Sequence, residues 1–125
     1  MKEPETKLPY YKLDFGKLFD KKGNGLIPAD IFNFRTGKHL MLGYMNETAF
    51  QISWQTGEVV LWSRTRQELW YKGSTSGSRL LIQSWQPGCE FDVLEVYVKP
   101  LGPVCHRGTE SCFDLIQDGN LKENL

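Results

Sequence analysis

The apolar residues of this chain are grouped in short β-prone runs with turn residues between them, and this pattern predicts a mainly β fold. Residues 92–99 alternate most regularly, with Leu94, Val96 and Val98 on one face of a strand. Further strands are predicted at residues 26–34, 39–45, 59–62 and 80–85. The sequence therefore predicts a β-rich α+β architecture.

One clear helix is predicted at residues 47–55, between the second and third strands. Asn46 is a good N-cap, and Gly57 suits the end of the helix. Between them, apolar residues recur at helical spacing at Ala49, Phe50 and Trp54. Residues 35–38 form a plausible hairpin loop between the first two strands.

The whole chain, residues 1–125, is expected to form a single domain. Residues 1–22 are interpreted as an N-terminal extension, in which an apolar cluster at 15–19 can form a second helical turn. Residues 114–125 are interpreted as a C-terminal tail that is too short for a further domain.

The balance of charge gives no reason to expect a nucleic-acid or membrane partner. Lysine and arginine total 15, and aspartate and glutamate also total 15. The first residues are too polar for a signal peptide, and the odd number of cysteines, three, argues against a disulfide framework. We expect a soluble protein of the reducing cytoplasm.

Three cysteines lie among polar or charged residues, at Cys89, Cys105 and Cys112. Three thiolates can hold zinc and leave a fourth position open for water, which is the arrangement of a hydrolytic site. The alternative is that they are small buried apolar residues, because spacings of 16 and 7 residues match no compact zinc knuckle. His106 is the nearby candidate for a fourth ligand or for a base beside the metal.

Several motifs occur in an order and spacing that resemble the phosphoribosyl-AMP cyclohydrolase family of histidine biosynthesis. The resemblance covers residues 25 to 113, most of the chain. The motifs are Gly25-Leu26-Ile27-Pro28-Ala29, Leu40-Met41-Leu42-Gly43-Tyr44-Met45-Asn46, Ser63-Arg64-Thr65-Arg66, Leu69-Trp70-Tyr71-Lys72-Gly73, Thr75-Ser76-Gly77, Cys89-Glu90-Phe91-Asp92, Cys105-His106-Arg107-Gly108 and Ser111-Cys112-Phe113.

The resemblance implies an enzyme that adds water to C6 of the adenine ring of phosphoribosyl-AMP and breaks the N1–C6 bond. It also implies a small, barrel-like folded mixed sheet in an intertwined homodimer, with Cys89 reaching a zinc whose other ligands come from the partner subunit. An all-intrachain zinc site is the alternative. Relatives are often fused to a pyrophosphohydrolase, and we expect this chain to be monofunctional.

His106 is expected to act as the general acid/base rather than as a zinc ligand. Adjacent residues such as Cys105 and His106 rarely both reach one small ion, and an unperturbed histidine has a pKa near 6.5. His39, which begins an apolar strand, is expected to be structural.

The family carries three acidic residues at alternating positions around the first cysteine, and they bind magnesium. In this chain those positions are Gly88, Glu90 and Asp92, so one ligand is missing. Alternate residues of a strand share one face, and two carboxylates with substrate phosphate can still hold the ion. We expect a weakened magnesium site, with solvated side chains at a strand end as the alternative.

A basic segment suits a doubly phosphorylated substrate. The predicted substrate-binding residues are Arg64, Arg66, Lys72, Thr75 and Ser76. Trp62 and Trp70 can stack on a purine, but we expect both to be buried in the core. Ser74 replaces an acidic residue that is usual in the family.

Two other functions remain open at this point. The first is a diverged, non-catalytic relative that binds a nucleotide, which the departures at Gly88 and Ser74 favour. The second is a small zinc-stabilised interaction module with a closed Cys₃His site.

Overall fold

A four-stranded mixed sheet and one helix form the core of the computed structural model. The model describes residues 25–90, 92–106 and 108–113, and the backbone alone of residues 116–117 and 120–121. The expected N-terminal extension, with its helical turn, and most of the expected C-terminal tail lie outside the described residues. The elements are β1 (Ile27–Asn33), β2 (His39–Met45), α1 (Glu47–Thr56), β3 (Val60–Ser63), β4 (Glu68–Tyr71), β5 (Leu80–Pro87), β6 (Leu94–Pro100), β7 (Ile116–Gln117) and β8 (Asn120–Leu121).

The large sheet has the strand order β2-β1-β6-β5. β1 and β6 are parallel neighbours, with Ile31 opposite Val96, whereas β2 and β5 flank them in antiparallel pairs. A mixed sheet is therefore confirmed. No closed barrel is formed by the strands that the structure describes, where the small β3–β4 and β7–β8 ribbons are separate sheets.

One face of the central strand pair forms the hydrophobic core, as the alternation predicts. Leu94, Val96 and Val98 of β6 are completely buried, and so are Ala29 and Ile31 of β1. The predicted alternation of buried and outward-facing residues along the strand is confirmed. It fixes the register of strand pairing, because a shift by one residue would expose every one of these side chains.

The helix α1 covers this core with an aromatic cluster. Phe50 and Trp54 project from α1 onto Trp85 of β5, with ring centroids 4.8 and 5.6 Å from that indole. Both predicted helix ends are confirmed: the Asn46 side chain accepts a hydrogen bond from the Ala49 N–H at 2.8 Å, and Gly57 takes the left-handed conformation at φ 76°.

Ser53 joins α1 to the small sheet. Its buried hydroxyl accepts a hydrogen bond from the Val60 N–H at 2.8 Å and donates one to the Val60 carbonyl oxygen at 3.1 Å. Because an unmade hydrogen bond is costly in the interior, this side chain fixes the start of β3 against the helix.

The strand β4 was not predicted. Residues 63–79 read as a polar, basic segment, yet Glu68–Tyr71 pairs with β3 in an antiparallel hairpin. The prediction that Trp70 is buried is wrong, because Trp70 lies on this outer strand and is 43% exposed. Trp62 of β3 is partly buried.

Among the described residues, no helix is both long and apolar enough to cross a membrane.

Candidate active site

A cleft of about 710 Å³ lies between β4 with its following loop and the segment after β6. One wall is formed by residues 68–76 and 78, and the other by 103–106 and 108. The cleft brings together six of the predicted site residues: Arg66, Lys72, Thr75, Ser76, Cys105 and His106.

Two glycines shape the loop of residues 72–78 that forms the first wall. Gly73 and Gly77 have φ angles of 84° and 81°, and the Gly77 N–H donates to the Gly73 carbonyl oxygen at 2.8 Å. A Cβ at Gly73 would lie 2.4 Å from the backbone nitrogen of Arg79, whereas one at Gly77 would meet no atom within 4 Å. The tight turn at Gly73 leaves Thr75 and Ser76 exposed along the cleft.

Lys72 connects this loop to the opposite wall. Its half-buried ammonium group donates to the Val104 carbonyl oxygen at 2.7 Å and lies 5.2 Å from the Trp70 ring centre. Burial lowers the pKa of Lys72, and the nearby thiolates of Cys112 and Cys105 act in the opposite direction. Lys72 thus lines the cleft and is affected by both thiol groups.

The segment that carries Cys105 and Cys112 folds back on itself. The Cys105 N–H donates to the Thr109 carbonyl oxygen at 3.2 Å, and the Cys105 carbonyl oxygen accepts a hydrogen bond from the Gly108 N–H at 2.9 Å. Cys105 is buried and Cys112 is half-buried, and both influence the Lys72 ammonium group. Both of these predicted zinc ligands are therefore close enough to Lys72 to affect its pKa.

Cys89 lies elsewhere in the same chain. It is exposed in the turn before β6, whereas Cys105 follows the other end of that strand. Seven residues of β6 span about 20 Å at the usual rise of roughly 3.3 Å per residue. Within the described part of the chain, no group of three His, Cys, Asp or Glu side chains is close enough to hold a metal ion.

The three positions expected to form a magnesium site lie in a hairpin turn, so the premise that they share one strand face is wrong. β5 ends at Pro87, Cys89 and Glu90 form the turn, and the Gly88 N–H closes it on the Val93 carbonyl oxygen at 2.8 Å. Glu90 and Asp92 are both exposed. Gly88 does not adopt a left-handed conformation, but a Cβ there would lie 2.9 Å from Cγ1 of Val93.

The remaining predicted residues have different surroundings. His106 is exposed on the rim of the cleft. Arg66 also lines the cleft, but Arg64 does not, because its guanidinium lies 3.8 Å from the centre of the Tyr44 ring.

His39 has a structural environment, as expected. Its Nε2 makes a hydrogen-bond contact with the Asp30 carboxylate, and its ring stacks on Phe32 and on Phe113, with ring centroids 4.9 and 4.2 Å away. The imidazole therefore attaches the segment after Cys112 to the outer face of the sheet.

The central and C-terminal part of the chain, residues 41–114, matches the family model described as phosphoribosyl-AMP cyclohydrolase. This stretch includes both cleft walls and all three cysteines. The chain belongs to the phosphoribosyl-AMP cyclohydrolase family.

Curated relatives of two lengths support this membership. The phosphoribosyl-AMP cyclohydrolases of Streptococcus thermophilus and Streptococcus mutans are 44% and 45% identical, over 82% and 74% of this chain and 87% and 85% of their own. The histidine biosynthesis bifunctional protein HisIE of Shewanella oneidensis is 49% identical over 87% of this chain and 50% of its own. The chain thus spans about half the length of the bifunctional relatives it matches.

Sequence reasoning missed two residues that shape the site. Gly73 was treated as part of a motif, and only the close backbone approach of Arg79 shows why glycine is needed there. Ser111 precedes Cys112 and is completely buried, which its polar neighbours in sequence do not indicate.

The substitution Gly73→Ala is expected to destabilise the protein more than Gly77→Ala. Both variants place alanine at a left-handed φ, which costs about 1–2 kcal/mol, and only Gly73→Ala also drives a methyl group into backbone atoms, adding about 1–3 kcal/mol. Denaturant unfolding of both variants measures the difference. Equal losses of unfolding free energy would show that the turn at Gly73 relaxes freely.

Proposed function

We propose that this protein is a zinc-dependent phosphoribosyl-AMP cyclohydrolase of histidine biosynthesis, which hydrolyses the N1–C6 bond of the adenine ring of 1-(5-phosphoribosyl)-AMP. The observation that carries the proposal is the cleft, in which Cys105 and His106 face Lys72 and the rest of the loop of residues 72–78. The whole cleft lies within the stretch matched by the family model. Thiolate ligands persist in a reducing compartment, so we propose the cytoplasm.

Cys105, Cys112 and Cys89 are the proposed zinc ligands. The proposal is supported by the influence of both Cys105 and Cys112 on the pKa of Lys72, and thiolate sulfurs are ligands that zinc prefers. Cys89 of the same chain lies beyond the opposite end of β6 from Cys105. We therefore propose a homodimer in which the exposed turn at Cys89 reaches the thiol pair of the partner subunit.

When bound, zinc would lower the pKa of a coordinated water from about 15.7 towards 7. His106 stands on the rim of the same cleft, where an imidazole nitrogen can take the proton of the water that attacks C6. The proton is then returned to ring nitrogen N1 as the N1–C6 bond breaks. The exposed position of His106 leaves its ring free to face the substrate rather than the thiols.

The other wall is proposed to hold the phosphates of the substrate. Thr75 and Ser76 present hydroxyls on an exposed turn, and Arg66 contributes a charged guanidinium at the cleft edge. Lys72, which also lines the cleft, would add positive charge there and offset the charge of thiolate ligands. For Arg64, substrate binding stays a prediction, because its contact with Tyr44 lies outside the cleft.

Magnesium binding by Glu90 and Asp92 is also a proposal. Both carboxylates are exposed in the same hairpin turn as Cys89, so a dimer that brings this turn to the cleft would bring them to the substrate phosphates as well. With glycine at position 88, we propose that the ion depends on those phosphates to complete its coordination.

A closed Cys₃His module is not favoured by this geometry. It needs Cys89 beside Cys105, Cys112 and His106, and no such group of ligands occurs among the side chains that the structure describes.

An activity assay distinguishes the enzyme from a non-catalytic relative. Purified protein with bound zinc should open the adenine ring of phosphoribosyl-AMP. Zinc-loaded protein without turnover would support the non-catalytic alternative.

Mixing two inactive variants should restore activity if the zinc site is shared between subunits. Cys89→Ser and Cys112→Ser are each expected to lose stoichiometric zinc and turnover. When they are unfolded, mixed and refolded together, half of the dimers should be mixed and hold one intact site, which returns roughly a quarter of the wild-type sites.

Cys105→Ser mixed with Cys112→Ser is the matched control. Both of these ligands come from the same subunit, so every site in the mixture lacks one thiol and no activity should return. Restoration in the control, or none in the test mixture, would contradict a site divided in this way.

Replacing His106 by alanine is expected to leave zinc bound while kcat falls by roughly 10²–10⁴-fold, the usual contribution of a general acid/base. Zinc content and steady-state kinetics of the same preparation measure the two effects separately. Loss of zinc from His106→Ala would instead make this residue a ligand.

A further inference from the structure

Ser111 is one of two polar residues that are completely buried in the described part of the chain, and its hydroxyl makes several hydrogen bonds. It donates to the carbonyl oxygen of His39 at 2.7 Å, lies 3.2 Å from that of Leu40, and accepts a bond from the Phe113 N–H at 2.9 Å. The hydroxyl thus links the peptide unit that follows Cys112 to the first residues of β2.

Two further bonds hold the same segment. The Cys112 N–H donates to the Leu40 carbonyl oxygen at 2.8 Å, and the Thr109 hydroxyl donates to the Ser111 carbonyl oxygen at 2.8 Å. Residues 111–113 belong to no helix or strand, so these contacts replace the ladder that would otherwise fix the backbone.

A fixed backbone at Cys112 has a chemical consequence. A zinc–sulfur bond is about 2.3 Å long and the four ligands are tetrahedral, so a displaced Cα weakens the bond directly. Cys105 is held by its own turn, and Cys89 is proposed to arrive from another subunit. Cys105 and Cys112 are therefore the two proposed ligands that the fold of this subunit itself has to hold in position.

We propose that Ser111 is a positioning residue for the metal centre: its buried hydroxyl holds the Cys112 backbone on the start of β2, so that the Cys112 and Cys105 thiols are pre-arranged for zinc. The inference rests on the proposed zinc site and extends it to a residue that does not contact the metal. Groups that orient metal ligands typically contribute about 10–100-fold in affinity.

The test is the zinc dissociation constant of Ser111→Ala, measured by competition with a chelator on the intact protein. We expect it to rise about 10-fold or more, together with a weaker thiolate-to-metal absorption band in the Co²⁺-substituted protein. Ser111→Thr retains a hydroxyl and should recover most of the affinity.

Ser53→Ala is the matched control. Ser53 is the other completely buried polar residue in the described part of the chain. Its hydroxyl also donates to and accepts from backbone groups, but both belong to Val60 and join α1 to β3. We expect Ser53→Ala to lose a comparable amount of unfolding free energy while its zinc dissociation constant stays at the wild-type value. Equal zinc affinity in Ser111→Ala and Ser53→Ala would reduce Ser111 to a purely structural residue and overturn the inference.

Two outcomes distinguish this inference from the proposed function. Wild-type protein that binds no zinc overturns the proposed zinc site and the inference with it, whereas wild type and Ser111→Ala that bind zinc equally overturn the inference alone. If Ser111→Ala does not fold, Thr109→Val takes its place, because it loosens the same turn from the Ser111 carbonyl. Wild-type zinc affinity in that variant would then overturn the inference.

Discussion

The central strand β6 determines how the reactive residues are distributed over this molecule. Its buried residues pack in parallel against β1, so its position in the sheet is fixed, and both cysteine-bearing segments are attached to its ends. Cys89 belongs to the turn before β6, and Cys105 to the segment after it. A rigid strand between them keeps these two thiols of one chain apart, which is the physical basis for proposing a second copy at the site.

The cleft has a consistent electrostatic arrangement. Burial lowers the pKa of Lys72 and the thiols of Cys105 and Cys112 oppose that effect, while the ammonium group donates a hydrogen bond to the Val104 carbonyl oxygen. In the proposed zinc site, the wall that we propose to bind phosphate would therefore also supply positive charge near the thiolate ligands. In this arrangement, β4 and its loop contribute both to the surroundings of the proposed zinc ligands and to the proposed binding of phosphate.

Much of the core was predictable because burial imposes a simple period. The alternation of Leu94, Val96 and Val98 identifies β6, and Asn46 with Gly57 defines the helix ends, since each residue acts through its own side chain or backbone conformation. Their roles need no knowledge of distant contacts. The family resemblance similarly identified six residues that the cleft brings together.

The errors occur where long-range contacts determine the structure. Within the described residues, β4 pairs with β3 alone and exposes Trp70, so it lacks the apolar alternation of a half-buried strand. Positions 88, 90 and 92 have the spacing of residues on one face of a strand, but the Gly88–Val93 hydrogen bond closes a hairpin turn there. Ser111 gains its role only from contact with β2, some 70 residues earlier in the chain.

The central claim is that one zinc site is built from two copies of the chain, and locating the metal tests it most directly. Anomalous X-ray scattering at the zinc edge, from crystals of the zinc-loaded protein, should place one zinc between Cys105 and Cys112 of one subunit and Cys89 of another. A zinc bound by residues of a single subunit, or a thiol pair that remains without metal at full zinc loading, would contradict the account.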